Sequence, residues 1–176
     1  MNSILPPYKY DPDFDVESIP RKWHYRHQRE PLIDPHGDRI VDMIKAGKKG
    51  LAILHPKDDE FKNLQVYINS KQLYVLNISD PYPYGNVIVY RPELEDDAIK
   101  MSQYLLKNFE DIKNDTNLPI QEVIKQHQDM GKILGYPQKH IDYFCNKSFG
   151  NKISNIRENN INSIKNENDT YYFKNI

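Results

Sequence analysis

The hydrophobic period of this chain changes once, at Arg91-Pro92, and that change restricts its architecture more than any other feature. Before it, apolar residues come in short runs bounded by turn residues. After it, they recur at helical spacing. Gly50 opens one run, LAIL (51–54), which His55-Pro56 stops. After a polar connection (57–62), LQVYIN (64–69) and QLYVLNIS (72–79) alternate and are rich in β-branched and aromatic residues. With Ser70-Lys71 between them, they are predicted to pair as a hairpin. NVIVY (86–90) is a further short strand. Beyond the break, Leu94, Ala98, Met101, Leu105 and Phe109 share one helical stripe. Pro119 starts a second helix carrying Ile120, Val123, Ile124, His127, Met130, Ile133 and Leu134, which Gly135-Tyr136-Pro137 breaks. A third, short helix runs from Gln138 to Asn146 with Ile141, Phe144 and Cys145 inward. Ahead of the strands, Asp38 caps a short helix with Ile40, Val41, Met43 and Ile44 that ends at Gly47. The expected fold is therefore α+β: a small, mostly antiparallel sheet of three to four short strands packed with three to four helices.

Prolines divide the chain further. Pro6, Pro7, Pro12, Pro20, Pro31 and Pro35 exclude a long helix or central strand from residues 1–37. Tyr8, Tyr10, Phe14, Trp23 and Tyr25 supply more aromatic surface than a free tail carries. Residues 1–37 are expected to form an extended arm packed on a core domain at 38–146. Residues 147–176 are rich in asparagine and are expected to be a weakly ordered tail.

The balance of charge means that any electrostatic partner must be held by a local patch. Lysine plus arginine total 24 and aspartate plus glutamate 25, so no whole-molecule field draws the chain to nucleic acid or an anionic membrane. A single cysteine, Cys145, makes no internal disulfide and fits a reducing, cytoplasmic setting. No apolar run approaches a spanning length, so no membrane partner is expected. Lysine outnumbers arginine 18 to 6 and Ile and Asn abound, a bias of A/T-rich codons that suggests a viral or low-GC source.

Two groups of residues carry chemistry. RKWHYRHQR (21–29) sets Arg21, Lys22, Arg26 and Arg29 among Trp23 and Tyr25. Cations that neutralise phosphates beside rings that stack on bases suit nucleic acid. The acids Asp11, Asp13, Asp15 and Glu17 just before them offer an internal charge partner instead. The loop at 79–86 presents Tyr82 and Tyr84 between prolines, a rigid aromatic surface. Together these residues favour a non-enzymatic binding protein with a protein partner. The alternative is a hydrolase acting on a nucleotide or phosphoester through His36, His55, Asp80 and Arg91, with Arg91 holding phosphate. Nucleic-acid binding through 21–29 stands third. No spacing matches a metal signature, and no cofactor is implied. Cys145 and His140 lie five apart on one helix and point different ways, so the thiol reads as a small buried hydrophobe.

HQDMGKILGYPQKHIDYF, preceded by VIVYRPELEDDAIKMSQYL, resembles a helix corner in a family of uncharacterised archaeal and viral proteins with a GKLLGYP run. The resemblance covers residues 86–146. It implies a strand, an Arg-Pro break and a helical corner. Family members often carry cysteines after the proline. This chain has Gln138, Lys139 and His140 there, so no thiol or metal role is carried over.

Overall fold

The computed structural model describes residues 4–22, 36–78, 86–114 and 119–161 of the 176. Its elements follow in the order α1 (Ile40–Lys45), β1 (Leu51–Leu54), α2 (Asp59–Asn69), β2 (Tyr74–Asn77), β3 (Val87–Tyr90), α3 (Glu95–Asn114), α4 (Ile120–Ile133) and α5 (Gln138–Ile161). The fold is α+β, with three antiparallel strands in the order β1-β3-β2. Leu51 opposes Tyr90 and Leu54 opposes Val87, so β1 and β3 run their full lengths together.

Both of these strands are buried at every position. Their side chains alternate between two cores, because a strand turns successive residues to opposite faces. Ala52, Leu54, Val87 and Val89 pack with Ile40 and Ile44 of α1 and Leu64 and Tyr67 of α2. Leu51, Ile53, Ile88 and Tyr90 pack with Ala98, Met101 and Leu105 of α3 and with Leu134. The sheet is thus covered by helices on both sides, which is why these strands read as unbroken apolar runs. A third cluster, Ile124, Ile141, Cys145 and Phe149, joins α4 to α5. Cys145 is buried there, and burial pushes its thiol pKa up.

The expected hairpin does not form: residues 64–69 are the second half of α2. Leu64, Val66 and Ile68 alternate over too few residues to separate the two periods. Phe61 decides it, because Phe61, Leu64, Tyr67 and Ile68 recur at helical spacing. Leu64 and Tyr67 are buried and Val66 is exposed. Asp59 and Glu60 lie in the first turn, where the helix dipole favours acids. With α2 the described residues hold five α-helices packed with the three-stranded sheet. The last of them continues past Asn146 to Ile161, so the asparagine-rich composition from 147 begins inside a helix.

Residues 4–22 cross the domain as an arm that is extended at first, turns at 12–13 and makes one 3-10 turn at Val16–Ser18. Leu5 N–H donates to Gln72 Oε1 at 2.7 Å, and Lys9 N–H to the Gly47 carbonyl at 3.2 Å. Tyr10 Oη donates to the Tyr136 carbonyl at 3.0 Å, and Pro12 O accepts from Gln138 N–H at 2.9 Å. Burial pushes the Tyr8 phenol pKa up to about 12. Gly47 ends α1 at φ 69°, and a Cβ on it would stand 2.7 Å from the Pro7 carbonyl oxygen. One glycine therefore both caps the helix and admits the arm.

Two substitutions test these caps. Gly47→Ala should cost about 1–2 kcal/mol for the left-handed backbone alone, with the Pro7 clash in addition. Lys71 ends α2 at φ 58° with a side chain that gains nothing from that backbone. Lys71→Gly should therefore stabilise the chain by roughly 0.5–1 kcal/mol. Urea unfolding of the three proteins measures both.

Candidate functional site

The site is built around the corner between α4 and α5. Gly135 closes α4 in the left-handed conformation, at φ 80°. Its N–H donates to Lys132 O at 3.0 Å, and Tyr136 N–H donates to Gly131 O at 2.9 Å. This pair of bonds is the Schellman arrangement. Gly131 also lets the helices meet, since a Cβ there would lie 2.8 Å from Ile141 Cγ1.

Lys49 runs wholly buried beneath this corner. Its ammonium donates to the Leu134 carbonyl at 2.5 Å, at the negative end of α4. It lies 3.0 Å from His36 Nδ1 and 5.6 Å from the centre of the Tyr136 ring. A charged lysine has no acceptor, so His36 Nδ1 accepts and the imidazole carries its proton on Nε2. His36 in turn stacks on Tyr136, with ring centres 4.0 Å apart.

Above the corner lies a cavity of about 300 Å³. Its apolar lining comes from Val16 on the arm, Met130 and Leu134 at the end of α4, and Ile141 and Phe144 on α5. Four further rings line it: His36, His127, Tyr136 and His140. His127 Nδ1 donates to the Val123 carbonyl at 2.8 Å, and Tyr104 Oη of α3 lies 3.0 Å from the same nitrogen. Its ring stacks with Phe144 at 5.9 Å.

The charged lining residues are Glu17, Arg21 and Arg39. Arg39 is buried and forks onto Glu17, with Nη1 on Oε1 at 2.9 Å and Nη2 on Oε2. That hydrogen-bonded pairing lowers the Glu17 pKa and raises that of Arg39. Arg21 is about half exposed, and its Nη1 lies 3.9 Å from Asp38 Oδ1. Burial, then the charge of Lys139, lowers the His140 pKa.

Of the residues singled out from the sequence, Arg21, Lys22, His36, His55 and Arg91 lie among the described residues, and Arg21 and His36 line the cleft. His36 is buried and held by Lys49 and Tyr136. His55 follows the last residue of β1, where its Nδ1 accepts from Lys57 N–H at 3.1 Å and its N–H donates to Asp58 Oδ2 at 2.9 Å. Arg91 follows β3 and pairs its backbone with Gly50, at the opposite end of the same ladder. Five residues of strand, about 17 Å, separate the two positions. The Arg91 guanidinium is buried and donates to the Ile44 carbonyl at 2.9 Å. Burial lowers its pKa. Lys22 donates its N–H to Asp38 Oδ2 and its Nζ to Asp42 Oδ2, both at 2.7 Å. Asp38 and Asp42 thus meet Arg21 and Lys22, and the charge of Arg21 also acts on Glu17 of the acidic run. Trp23, Tyr25, Arg26, Arg29, Asp80, Tyr82 and Tyr84 lie outside the described residues, as does 162–176. Among the described residues no group of three His, Cys, Asp or Glu is placed to hold a metal ion, and no helix is long and apolar enough to cross a membrane.

Sequence reasoning missed Glu17, Arg39, Lys49 and Tyr136 as parts of one site. The Gly-Tyr-Pro break marked the corner. Nothing local marked the lysine beneath it.

Two measurements check this electrostatic arrangement. Lys49→Met keeps the volume but removes the donor from Leu134 O and His36 Nδ1, and should lower stability by about 1–3 kcal/mol in urea. The lowered His140 pKa means the unfolded chain takes up its proton first as pH falls below about 6.5. Stability then drops between that value and the lower folded one. His140→Gln should flatten this stretch when urea midpoints are compared from about pH 5 to 7.

No protein-family model matches this sequence, and no curated protein or solved structure matches it.

Proposed function

We propose that this chain is a non-enzymatic binding protein and that the cleft above the α4–α5 corner receives an apolar group of its ligand. One observation carries the reading: a concave, largely apolar surface gathers residues from the arm, α4 and α5, with a few polar groups at its rim. The hydrolase reading needs His36, His55, Asp80 and Arg91 to converge. His55 and Arg91 stand at opposite ends of one strand pair, and Arg91 is committed to a backbone carbonyl. His36 is likewise fixed by its neighbours. The distance between His55 and Arg91 along the ladder favours the binding reading over the hydrolase.

A thermal-shift screen with small apolar fragments tests the proposal. A fragment at about 100 times its dissociation constant adds roughly 2.7 kcal/mol of stability, on the order of 5–10 °C in melting temperature. His140→Trp, which fills the mouth of the cleft, should abolish the shift. Turnover of a nucleotide or phosphoester that disappears in His55→Ala would sink the proposal in favour of the hydrolase.

A further inference from the structure

We infer that the cleft selects an aromatic carboxylate, a flat body of two fused rings with one negative charge at its edge. The inference rests on the cleft being the binding site and adds the class of ligand.

Size sets the body. An apolar cavity of about 150 Å³ holds one benzene ring. This cavity has about twice that volume. Its walls set the shape. His36 stacked on Tyr136 and His127 stacked with Phe144 present ring surfaces, which suit a planar guest better than a branched one.

Charge sets the edge. Two cations and one anion line the cleft. Glu17 and Arg39 satisfy each other through both carboxylate oxygens and both terminal nitrogens. Arg21 is the more exposed of the two cations, and the distance from its Nη1 to the buried Asp38 Oδ1 with which it pairs, 3.9 Å, is longer than a hydrogen bond, so its donors are not used up by that pair. A half-exposed guanidinium at the mouth of an apolar cleft offers a planar fork that fits a carboxylate with two parallel bonds. His140, its pKa lowered by burial, adds hydrogen-bonding capacity at the rim without adding charge at neutral pH. A free aromatic acid and the C-terminal residue of a peptide share this chemistry.

Titration calorimetry of the full chain at neutral pH separates the cases, with 2-naphthoate and the uncharged 2-naphthol as paired probes. 2-Naphthoate should bind about tenfold more tightly or better, the expectation for a charge-assisted bidentate contact. Arg21→Gln should bring the two affinities together, and Arg21→Lys should keep part of the difference. Because Arg21 is at the surface, melting curves should show both variants folded. Gly-Gly-Trp serves as a third probe. Binding tighter than that of 2-naphthoate supports the inference with a peptide C-terminus as source, and weaker binding supports it with a free acid. Equal affinity for 2-naphthol and 2-naphthoate in the unmodified chain would overturn the inference and leave the cleft as a binding site. An undiminished preference in Arg21→Gln would overturn it as well. Failure of all probes to bind the folded protein would overturn both the inference and the reading on which it rests.

Discussion

A lysine buried under a helix end holds this structure together. Removing an ammonium from water costs several kcal/mol. Lys49 offsets part of that cost with neutral partners. It uses the Leu134 carbonyl, the negative end of α4, the His36 nitrogen and the Tyr136 face. Its backbone N–H meanwhile donates to Met43 O at the end of α1, and the next residues enter β1. One residue thus ties the end of α1, the start of the sheet and the α4–α5 corner into one geometry. Arg91 repeats the device on the other helix, donating to Ile44 O in the last turn of α1. In both places a buried cation completes a helix terminus, whose last carbonyls have no partner within the helix.

This use of charge decides how the histidines and arginines read. In a sequence, His36 and Arg91 look like reagents, because imidazole and guanidinium are common at working sites. In the fold the Arg91 guanidinium is spent on a backbone carbonyl, while His36 is held by Lys49 and Tyr136 and still turns its ring to the cleft. Arg39 and Glu17 illustrate the same economy. A guanidinium buried at the start of α1 needs a carboxylate, and the arm supplies one from 22 residues away. The pairing removes Arg39 from contention as a free cation and leaves Arg21 as the exposed charge of the rim.

How much of this the sequence disclosed follows from the range of each interaction. The strands at 51–54 and 87–90 were legible because both faces are buried, so every position is apolar. The corner at Gly135 was legible because its left-handed backbone calls for glycine. The helix at 59–69 was misread because six residues of alternation outweighed the single aromatic, Phe61, that sets the longer period. Lys49 was not legible at all. It stands beside Lys48 between two glycines, and Lys48 is partly exposed and pairs with Asp11 at 3.0 Å. Nothing within the turn distinguishes the two lysines. The difference lies 85 residues away, at Leu134.

The arm gives the cleft a property that its helical half alone would lack. Val16, Glu17 and Arg21 belong to the arm, while Met130, Leu134 and Ile141 belong to the corner. The arm is held there by buried Leu5 and Val16, the Glu17–Arg39 fork, the Asp11–Lys48 and Lys22–Asp42 pairs, and hydrogen bonds to Asp38, Gly47, Gln72, Tyr136 and Gln138. A ligand that touches both walls binds the docked arrangement better than an undocked one. By linkage it must then strengthen docking by the same factor that docking strengthens its binding. On the proposed reading the Glu17–Arg39 fork, itself part of the lining, acts on ligand affinity by setting how completely the second wall is in place.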